Sequence, residues 1–435
     1  MTSTQKNLAL LKEFECPNIT YMPEDNSWPI VWERASGVSV WDVEKRHYLD
    51  LTAAFGVAAC GHANRAIVRA GQAQMKRLLH AMGDVHPHPL KGELAKELSR
   101  ITFEKWSRTG RKAGKGKTIF CNSGFEAVEA ALKTAQFATG KPGVIAFKSA
   151  YHGLGYGALV ATDRPHFKKP FTRQLAHFVQ SVEFPLSEPA LAQTLKAIQQ
   201  ILEEGKTGAV LVEPIQARGG INVPPEHFLR NLRRLCDQHS ALLVLDEIYT
   251  GFGRTGEWFA CEREHVVPDL ICLGKAMTGG FPLSACVGRA EIMDAWPISS
   301  GEAIHTSTFL GHPVGCAMAL AQIHELEHRN YVKNSRDLGK YVLELLNSFP
   351  DFIHFRCKAR GRGLMIGLEL LLKNGKPATR ISLTAIARLL QRGFIFLPEG
   401  EHSNIIAMTP PLTIKEKQLE RATRALKQIL QELDQ

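Results

Sequence analysis

The stretch ALLVLDEIYTGFGRTG at residues 241–256 joins an apolar run to the acidic pair Asp246 and Glu247 and then to a glycine-rich turn. A short continuous apolar run is typical of a strand that is buried on both faces. Five other strand-like runs lie at 117–120, 143–147, 208–212, 269–273 and 284–287. Helix-period segments separate several of these runs. The pattern predicts an α/β fold in which helices cover a mostly parallel central sheet.

The C-terminal part of the chain has a different pattern. Strands are expected at 364–372 and 394–397, and helices at 383–391 and 414–433. These elements indicate a second, smaller α+β unit. We therefore predict three segments, which are a large domain at 62–325, a small domain at 326–435, and an N-terminal segment at 1–61 that contributes to the small domain.

The composition excludes a disordered or fibrous chain, because 44% of the 435 residues are hydrophobic and 22% are charged. The net charge of +10 raises the question of nucleic-acid binding. The densest basic run, at 105–117, contains one aromatic residue, Trp106, and is interpreted as a loop. Nucleic-acid binding is therefore disfavoured, and a salt-dependent gel shift would test it.

The nine cysteines include no C-x-x-C pair, which favours reduced and mostly buried thiols. The N-terminal residues lack the pattern of a secretory signal, and no apolar stretch reaches the length of a membrane span. We expect a cytoplasmic protein that does not enter a membrane and holds no metal.

Two glycine motifs nearly match nucleotide-binding loops. The run GRKAGKGKT at 110–118 resembles a Walker loop, but its spacing is wrong by one residue and a strand follows it. The run GFGRTG at 251–256 fits G-x-G-x-x-G, yet no helical pattern begins after it. An enzyme that uses ATP or a nicotinamide cofactor is therefore a weak alternative.

Polar residues follow the predicted strands, and the carboxyl ends of parallel strands meet at one edge of a sheet. Ser123 and Gly124 begin a helix and suit a phosphate, Asp246 ends a buried strand, and Lys275 follows another. Taken singly, Ser123 and Gly124 are more simply an ordinary N-cap and Lys275 is more simply a surface lysine. Asp246 alone is equally consistent with a cap, a salt bridge or a Walker B acid. Together with the flat ring of Tyr151, they form the set that pyridoxal phosphate requires.

The order of motifs resembles the class III aminotransferases of pyridoxal phosphate fold type I, from about residue 38 to residue 430. The motifs that carry the resemblance are NSGFEAVEAA at 122–131, YHG at 151–153, EPIQ at 213–216, LDEIYTGFGRTG at 245–256, LGKAMTGGFPLSA at 273–285, HTSTFLGHP at 305–313 and TPPLTI at 409–414. The resemblance implies a large domain with a mostly parallel sheet and a smaller α+β domain formed by the two ends of the chain.

The resemblance also implies roles for individual residues. Lys275 would bond to the cofactor and then move the substrate proton, and Asp246 would keep the pyridine nitrogen protonated. Ser123 and Gly124 would hold the phosphate, and Tyr151 would stack on the ring.

Three further roles follow from the same resemblance. Gln216 would contact the ring hydroxyl, and Glu213 would be a supporting residue. Thr308 would reach the phosphate of a neighbouring subunit, which implies a homodimer with shared active sites and leaves a tetramer open.

The sequence departs from the ornithine-like members of the family at two positions. Ala407 stands where those members carry an arginine that binds a carboxylate, and Arg218 stands where they carry a glutamate that pairs with it. We hypothesise that Arg218 now recognises the acid group of a substrate; an unrelated surface charge is the equal alternative. Phe55 falls where family members line the substrate entrance.

The sequence thus predicts an enzyme, a class III transaminase that moves an amino group from an amine or ω-amino acid to a keto acid such as pyruvate or 2-oxoglutarate in two half-reactions. A racemase, aminomutase or decarboxylase of the same fold is the alternative, because these enzymes share Lys275 and Asp246. A more distant alternative is a homologue that binds ligands but has no catalytic activity.

Overall fold

The computed structural model describes residues 1–23, 28–108 and 113–435. Its strands, in chain order, are β1 Trp32–Ser36, β2 Ser39–Asp42, β3 His47–Asp50, β4 Gly116–Cys121, β5 Gly143–Phe147, β6 Val179–Val182, β7 Thr207–Val212, β8 Leu242–Asp246, β9 Leu270–Leu273, β10 Ser284–Arg289, β11 Phe355–Arg362, β12 Met365–Leu372, β13 Phe394–Ile395, β14 Leu397–Glu399 and β15 Ile405–Met408.

The α-helices, in the same order, are α1 Ser3–Phe14, α2 Ala53–Gly56, α3 Arg65–Arg77, α4 Pro89–Ser99, α5 Lys105–Ser107, α6 Gly124–Thr139, α7 Tyr156–Ala161, α8 Pro165–Lys168, α9 Glu188–Glu203, α10 Phe228–His239, α11 Ala290–Met293, α12 Pro313–His328, α13 Tyr331–Asn347, α14 Thr379–Gln391 and α15 Glu416–Glu432.

The central sheet has seven strands within the described residues, in the order β4-β10-β9-β8-β7-β5-β6. Strand β10 is antiparallel to both of its neighbours, and the remaining pairs are parallel. Strand β4 therefore runs in the same direction as β9 and β8. The carboxyl ends of β4, β5, β7, β8 and β9 meet at one edge, as the sequence predicts.

Every residue of β7, β8 and β9 is buried. Both faces of the sheet are covered, with α6 on one face and α10 on the other. Each fully buried leucine, such as Leu243, contributes about 1.5–3 kcal/mol. The sheet is therefore a rigid base for the residues that follow its strands.

Two further sheets come from the chain ends. One has the order β1-β2-β3-β13, and the parallel pair β3 and β13 brings N-terminal and C-terminal residues together. The other has the order β11-β12-β15-β14 and is formed by C-terminal strands alone. The division at residues 61 and 325 stays a prediction, and residue 325 lies within α12.

The glycine-rich turn at 251–256 has a structural role. Arg254 is buried and donates hydrogen bonds to the carbonyl oxygens of Leu364 at 3.1 Å and Pro410 at 2.5 Å. A side chain at Gly363 would lie 2.4 Å from the carbonyl carbon of Thr255. The turn therefore fixes the central sheet against β12 and the loop after β15, and it does not open a helix as a dinucleotide loop would.

The Walker-like run at 110–118 is also not a phosphate loop where the structure describes it. Residues 116–118 lie in strand β4 rather than at a helix start, and residues 110–112 lie outside the described residues. Across the described ranges, the helices are too short or too polar to span a membrane. Nor do the described histidines, cysteines and acids form a group that could hold a metal.

Candidate active site

A cavity of 420 Å³ lies at the carboxyl edge of the central sheet. It is lined by residues that follow β4, β5, β7, β8 and β9, namely Gly124, Phe125, Tyr151, His152, Gly153, Leu154, Glu213, Ala217, Arg218, Asp246, Ile248, Tyr249, Thr250 and Lys275. A larger groove of 640 Å³ beside Phe137 and Trp296 is lined mainly by apolar side chains. The smaller cavity is the candidate active site because it lies at the carboxyl edge of the sheet and brings Glu213, Asp246 and Lys275 together.

Lys275 lies two residues after β9 and begins a short 3₁₀ turn. Its backbone adopts φ 39°, a left-handed conformation that costs a lysine about 1–3 kcal/mol. The Nζ atom lies 4.6 Å from the ring centre of Tyr249. Burial lowers the pKa of the Lys275 amine, although Asp246 and Glu213 oppose the shift. A larger share of this amine is therefore unprotonated, as a nucleophile or base requires.

Asp246 is the last residue of β8 and is 5% exposed. Its Oδ2 atom lies 2.8 Å from Nδ1 of His152, and its Oδ1 atom accepts the Ile248 backbone N–H at 3.1 Å. The Nε2 atom of His152 is buried without a hydrogen-bond partner in the described part of the chain. The pair thus presents an oriented carboxylate that can hold a protonated ring nitrogen.

Ser123 precedes α6 and presents a free hydroxyl at a helix N-terminus. The Glu126 carboxylate accepts the backbone N–H groups of Asn122 at 2.6 Å and Ser123 at 3.0 Å. The Ser123 Oγ atom is buried and has no hydrogen-bond partner among the described residues. The next residue, Gly124, lines the cavity. An orphaned hydroxyl beside a helix N-terminus fits the phosphate of pyridoxal phosphate.

Glu213 connects two parts of the cavity wall. One carboxylate oxygen accepts the backbone N–H of Tyr151 at 3.0 Å, and the other accepts that of Ala217 at 3.1 Å. Burial raises the pKa of Glu213 to about 7. The carboxylate therefore fixes both the aromatic residue and the loop that carries Arg218.

Gln216 is buried next to this wall. Its Nε2 atom donates to the Lys148 carbonyl oxygen at 2.7 Å, and its Oε1 atom accepts from Asn222 at 3.0 Å. These bonds fix the amide and leave one N–H of Nε2 for a further acceptor.

Arg218 reaches the cavity, with its guanidinium 5.8 Å from the Tyr151 ring centre. Its Nη1 atom lies 3.5 Å from Oε1 of Glu399, the last residue of β14. Ala407 packs in an apolar cluster with Ala217. The position at which the family resemblance implies an arginine is thus filled by apolar packing, and the positive charge lies on the adjacent loop.

Phe55 and Thr308 lie outside the cavity in the single chain. Phe55 is 51% exposed and belongs to a turn with positive φ at Ala54 and Phe55. Thr308 is exposed as well, although Ser307 beside it accepts a hydrogen bond from Asn122 at 2.9 Å. The other predicted site residues line the cavity, except Ser123 and Gln216, which are the chain neighbours of the lining residues Gly124 and Ala217.

Three neighbours of the predicted residues carried no predicted role. His152 and Tyr249 follow buried strands next to Tyr151 and Asp246, so the strand-end rule that found those residues could have found them. Glu399 gives no local signal, because β14 comes close to Arg218 only through the packing of the C-terminal strands.

The model of the aminotransferase class-III family matches residues 20–430. The chain belongs to the class III aminotransferases. It is 34% identical to an acetylornithine aminotransferase from Methanopyrus kandleri, over 93% of this chain and 95% of that protein. It is 35% identical to a putrescine aminotransferase from Pectobacterium atrosepticum, over 93% of this chain and 83% of that protein.

A solved amine transaminase from an uncultivated Pseudomonas species, in its pyridoxal phosphate-bound form, superposes with a TM-score of 0.86 at 26% identity. The alignment covers 97% of this chain and 99% of that one. The predicted family, fold class and cofactor are therefore confirmed. This class III aminotransferase is an enzyme that uses pyridoxal phosphate and transfers an amino group from an amine or ω-amino acid to a keto acid.

Proposed function

We propose that this aminotransferase performs both half-reactions in the 420 Å³ cavity, with Lys275 as the catalytic base and Asp246 at the ring nitrogen of the cofactor. The observation that carries the proposal is that Lys275 and the Asp246–His152 pair line one cavity. The orphaned Ser123 hydroxyl belongs to the residue before Gly124, which lines the same cavity. In the overall exchange, the donor amine becomes a carbonyl compound and the keto acid becomes an amino acid.

Each of these side chains does a separate part of the chemistry. Pyridoxal phosphate, when bound, supplies an electron sink. Lys275 takes the proton from the substrate carbon on Nζ and returns it, which its lowered pKa favours at neutral pH. The Asp246 carboxylate would pair with the ring nitrogen of the cofactor and favour its protonated form, while His152 fixes the direction of the carboxylate.

The remaining residues hold the cofactor in place. Ser123 and the backbone of Gly124 bind the phosphate at the N-terminus of α6. Tyr151 covers one ring face, and Glu213 holds the Tyr151 backbone. Gln216 uses its remaining N–H for the ring hydroxyl.

The enzyme assembles as a homodimer in which Thr308 reaches the phosphate in the partner subunit. Two observations support this role: Thr308 is exposed, and its neighbour Ser307 accepts a hydrogen bond from Asn122, next to Ser123. Exposed apolar side chains at Met82 and Phe309 are each 55% accessible and provide contact surface. The described cysteines are unpaired, which fits a cytoplasmic protein.

Arg218 recognises the acid group of the keto acid, and of an ω-amino acid donor when one is used. It is a cationic side chain that lines the cavity, and a guanidinium can bind a carboxylate through two hydrogen bonds. Pyruvate and 2-oxoglutarate are the acceptors to test first.

The test is the visible absorbance of the loaded enzyme while amines and ω-amino acids are added without a keto acid. We expect a donor to bleach the absorbance and pyruvate or 2-oxoglutarate to restore it. A loaded enzyme that no donor bleaches would instead favour a racemase, aminomutase or decarboxylase.

A further inference from the structure

The aromatic ring of Tyr249 lies beside the amine of Lys275. Its centre is 4.6 Å from the Nζ atom, which is within the distance of about 6 Å over which a ring face attracts an ammonium group. Tyr249 follows β8 and Lys275 follows β9, and these two strands are neighbours in the central sheet. Both residues line the cavity. The contact is therefore part of the candidate active site.

Two contacts fix the Tyr249 ring in place. Its hydroxyl shares a hydrogen bond of 3.1 Å with the hydroxyl of Thr409, whose backbone N–H donates to the Leu51 carbonyl oxygen at 2.7 Å. The ring also packs against Gly56, where a Cβ atom would lie 2.7 Å from Cε1 of Tyr249. Gly56 has φ 80°, a conformation that favours glycine. The ring face is thus held ready for the amine.

Tyr249 acts on the amine without carrying a charge. Burial raises the pKa of the Tyr249 hydroxyl to about 12, so the side chain is neutral at physiological pH. Removing the hydroxyl should therefore leave the interaction in place, whereas removing the ring should abolish it.

The charged groups that act on the Lys275 amine come from β8, β14 and the loop after β7. Three acids favour the ammonium form and one cation opposes it; these are Asp246, Glu213, Glu399 and Arg218. Burial has the largest effect and lowers the pKa of the amine. A ring face favours the ammonium form, so it acts in the same direction as the acids and against burial.

We propose that Tyr249 is a positioning residue whose ring face holds the ammonium form of Lys275 and so sets the pH at which the amine is free to react. The inference rests on the proposed role of Lys275 as the amine that bonds to the cofactor and moves the substrate proton. A base transfers protons best when its pKa lies near the working pH. Burial alone weakens the amine as a base, and the ring limits that loss.

The experiment measures how fast the full-length chain, stripped of cofactor, bonds to added pyridoxal phosphate between pH 5 and pH 10. The unprotonated Lys275 amine attacks the aldehyde carbon, a C=N bond forms and one water leaves, so the rate of the absorbance change follows the fraction of unprotonated amine. Each variant is characterised by the midpoint, the pH at which the rate is half of that variant's own maximum. A general loss of reactivity therefore does not move the midpoint.

The variants separate the ring from the hydroxyl. Tyr249→Leu removes both, and we expect its midpoint to lie about 0.5–1.5 pH units below that of the wild type, so that about 3- to 30-fold more amine is unprotonated at low pH. Tyr249→Phe keeps the ring and should keep the wild-type midpoint. Tyr249→Met is a second variant without a ring, with a flexible side chain that fills gaps, and it should shift as Tyr249→Leu does. Tyr21→Leu, at an exposed tyrosine, is the control.

The sign of the shift distinguishes this role from a merely structural one. A smaller side chain that only admits water would favour the charged ammonium and raise the midpoint. An unchanged or raised midpoint in Tyr249→Leu and Tyr249→Met overturns the inference, and so does a fall in Tyr249→Phe equal to that in Tyr249→Leu. If Lys275→Ala bonds to the cofactor at the wild-type rate and midpoint, the proposed function of Lys275 is itself wrong.

Discussion

Lys275, Asp246 and Ser123 follow strands of one sheet, whereas Arg218 and Glu399 meet through a loop after β7 and the last residue of a strand in another sheet. The cofactor side of the cavity is therefore held by one sheet, in which every residue of β7, β8 and β9 is buried. The substrate side depends on packing between the central sheet and the C-terminal strands. The comparison indicates that the rigid cofactor side fixes the type of reaction. The residues on the substrate side can change, and with them the choice of substrate, without moving the groups that hold the cofactor.

The largest expected effect is on the cofactor side. Lys275→Ala should lower the rate of transamination by at least about 10³-fold, because it removes the proton-transfer group. Steady-state turnover with a donor and pyruvate measures it. The control is Lys373→Ala on an exposed surface. Comparable turnover rates in both variants would show that Lys275 takes no part in the reaction.

Asp246→Asn should have the second largest effect, a loss of about 10²- to 10³-fold in the rate of transamination. The amide keeps a hydrogen bond to His152 but loses the charge that holds a proton on the ring nitrogen. Turnover of the loaded enzyme is compared with that of Asp351→Asn, a change at an exposed acid. If Asp246→Asn retains more than about a tenth of the wild-type rate, the charge is not needed.

The sequence predicts the cofactor side of the cavity better than the substrate side. Strand-end rules place Ser123, Asp246 and Lys275 together because parallel strands share a direction. Strand β6, at the sheet edge, was not predicted, because its residues VQSV are short and half polar. Glu399 could not be predicted beside Arg218, because their contact depends on how distant strands pack.

On the substrate side, Arg218→Gln should raise the pyruvate concentration needed for half-maximal rate by about 10- to 150-fold. A hydrogen bond to a charged group contributes about 1.5–3 kcal/mol, which corresponds to this range. Arg218→Lys should recover only part of the loss, because an ammonium lacks the guanidinium fork. Arg380→Gln, on an exposed surface of α14, is the control. If Arg218→Gln and Arg380→Gln need the same pyruvate concentration for half-maximal rate, Arg218 is a surface charge without a role in substrate binding.

Phe55→Ala should have the smallest effect, at about threefold on turnover with a bulky amine and less with a small one. The ring is half exposed and lies outside the cavity in the single chain. Its neighbour Gly56 packs against Tyr249, so the turn still borders the site. Competition between a small and a bulky donor measures the change, with Phe14→Ala as the exposed control. An unchanged preference would place Phe55 outside substrate recognition.

The most direct test separates the two half-reactions in stopped-flow absorbance of the loaded enzyme. The donor half-reaction uses an amine without an acid group, and the return half-reaction uses pyruvate. We expect Arg218→Gln to weaken the apparent affinity for pyruvate at least tenfold more than that for the amine. Equal effects on both half-reactions would contradict the separation of a cofactor side from a substrate side.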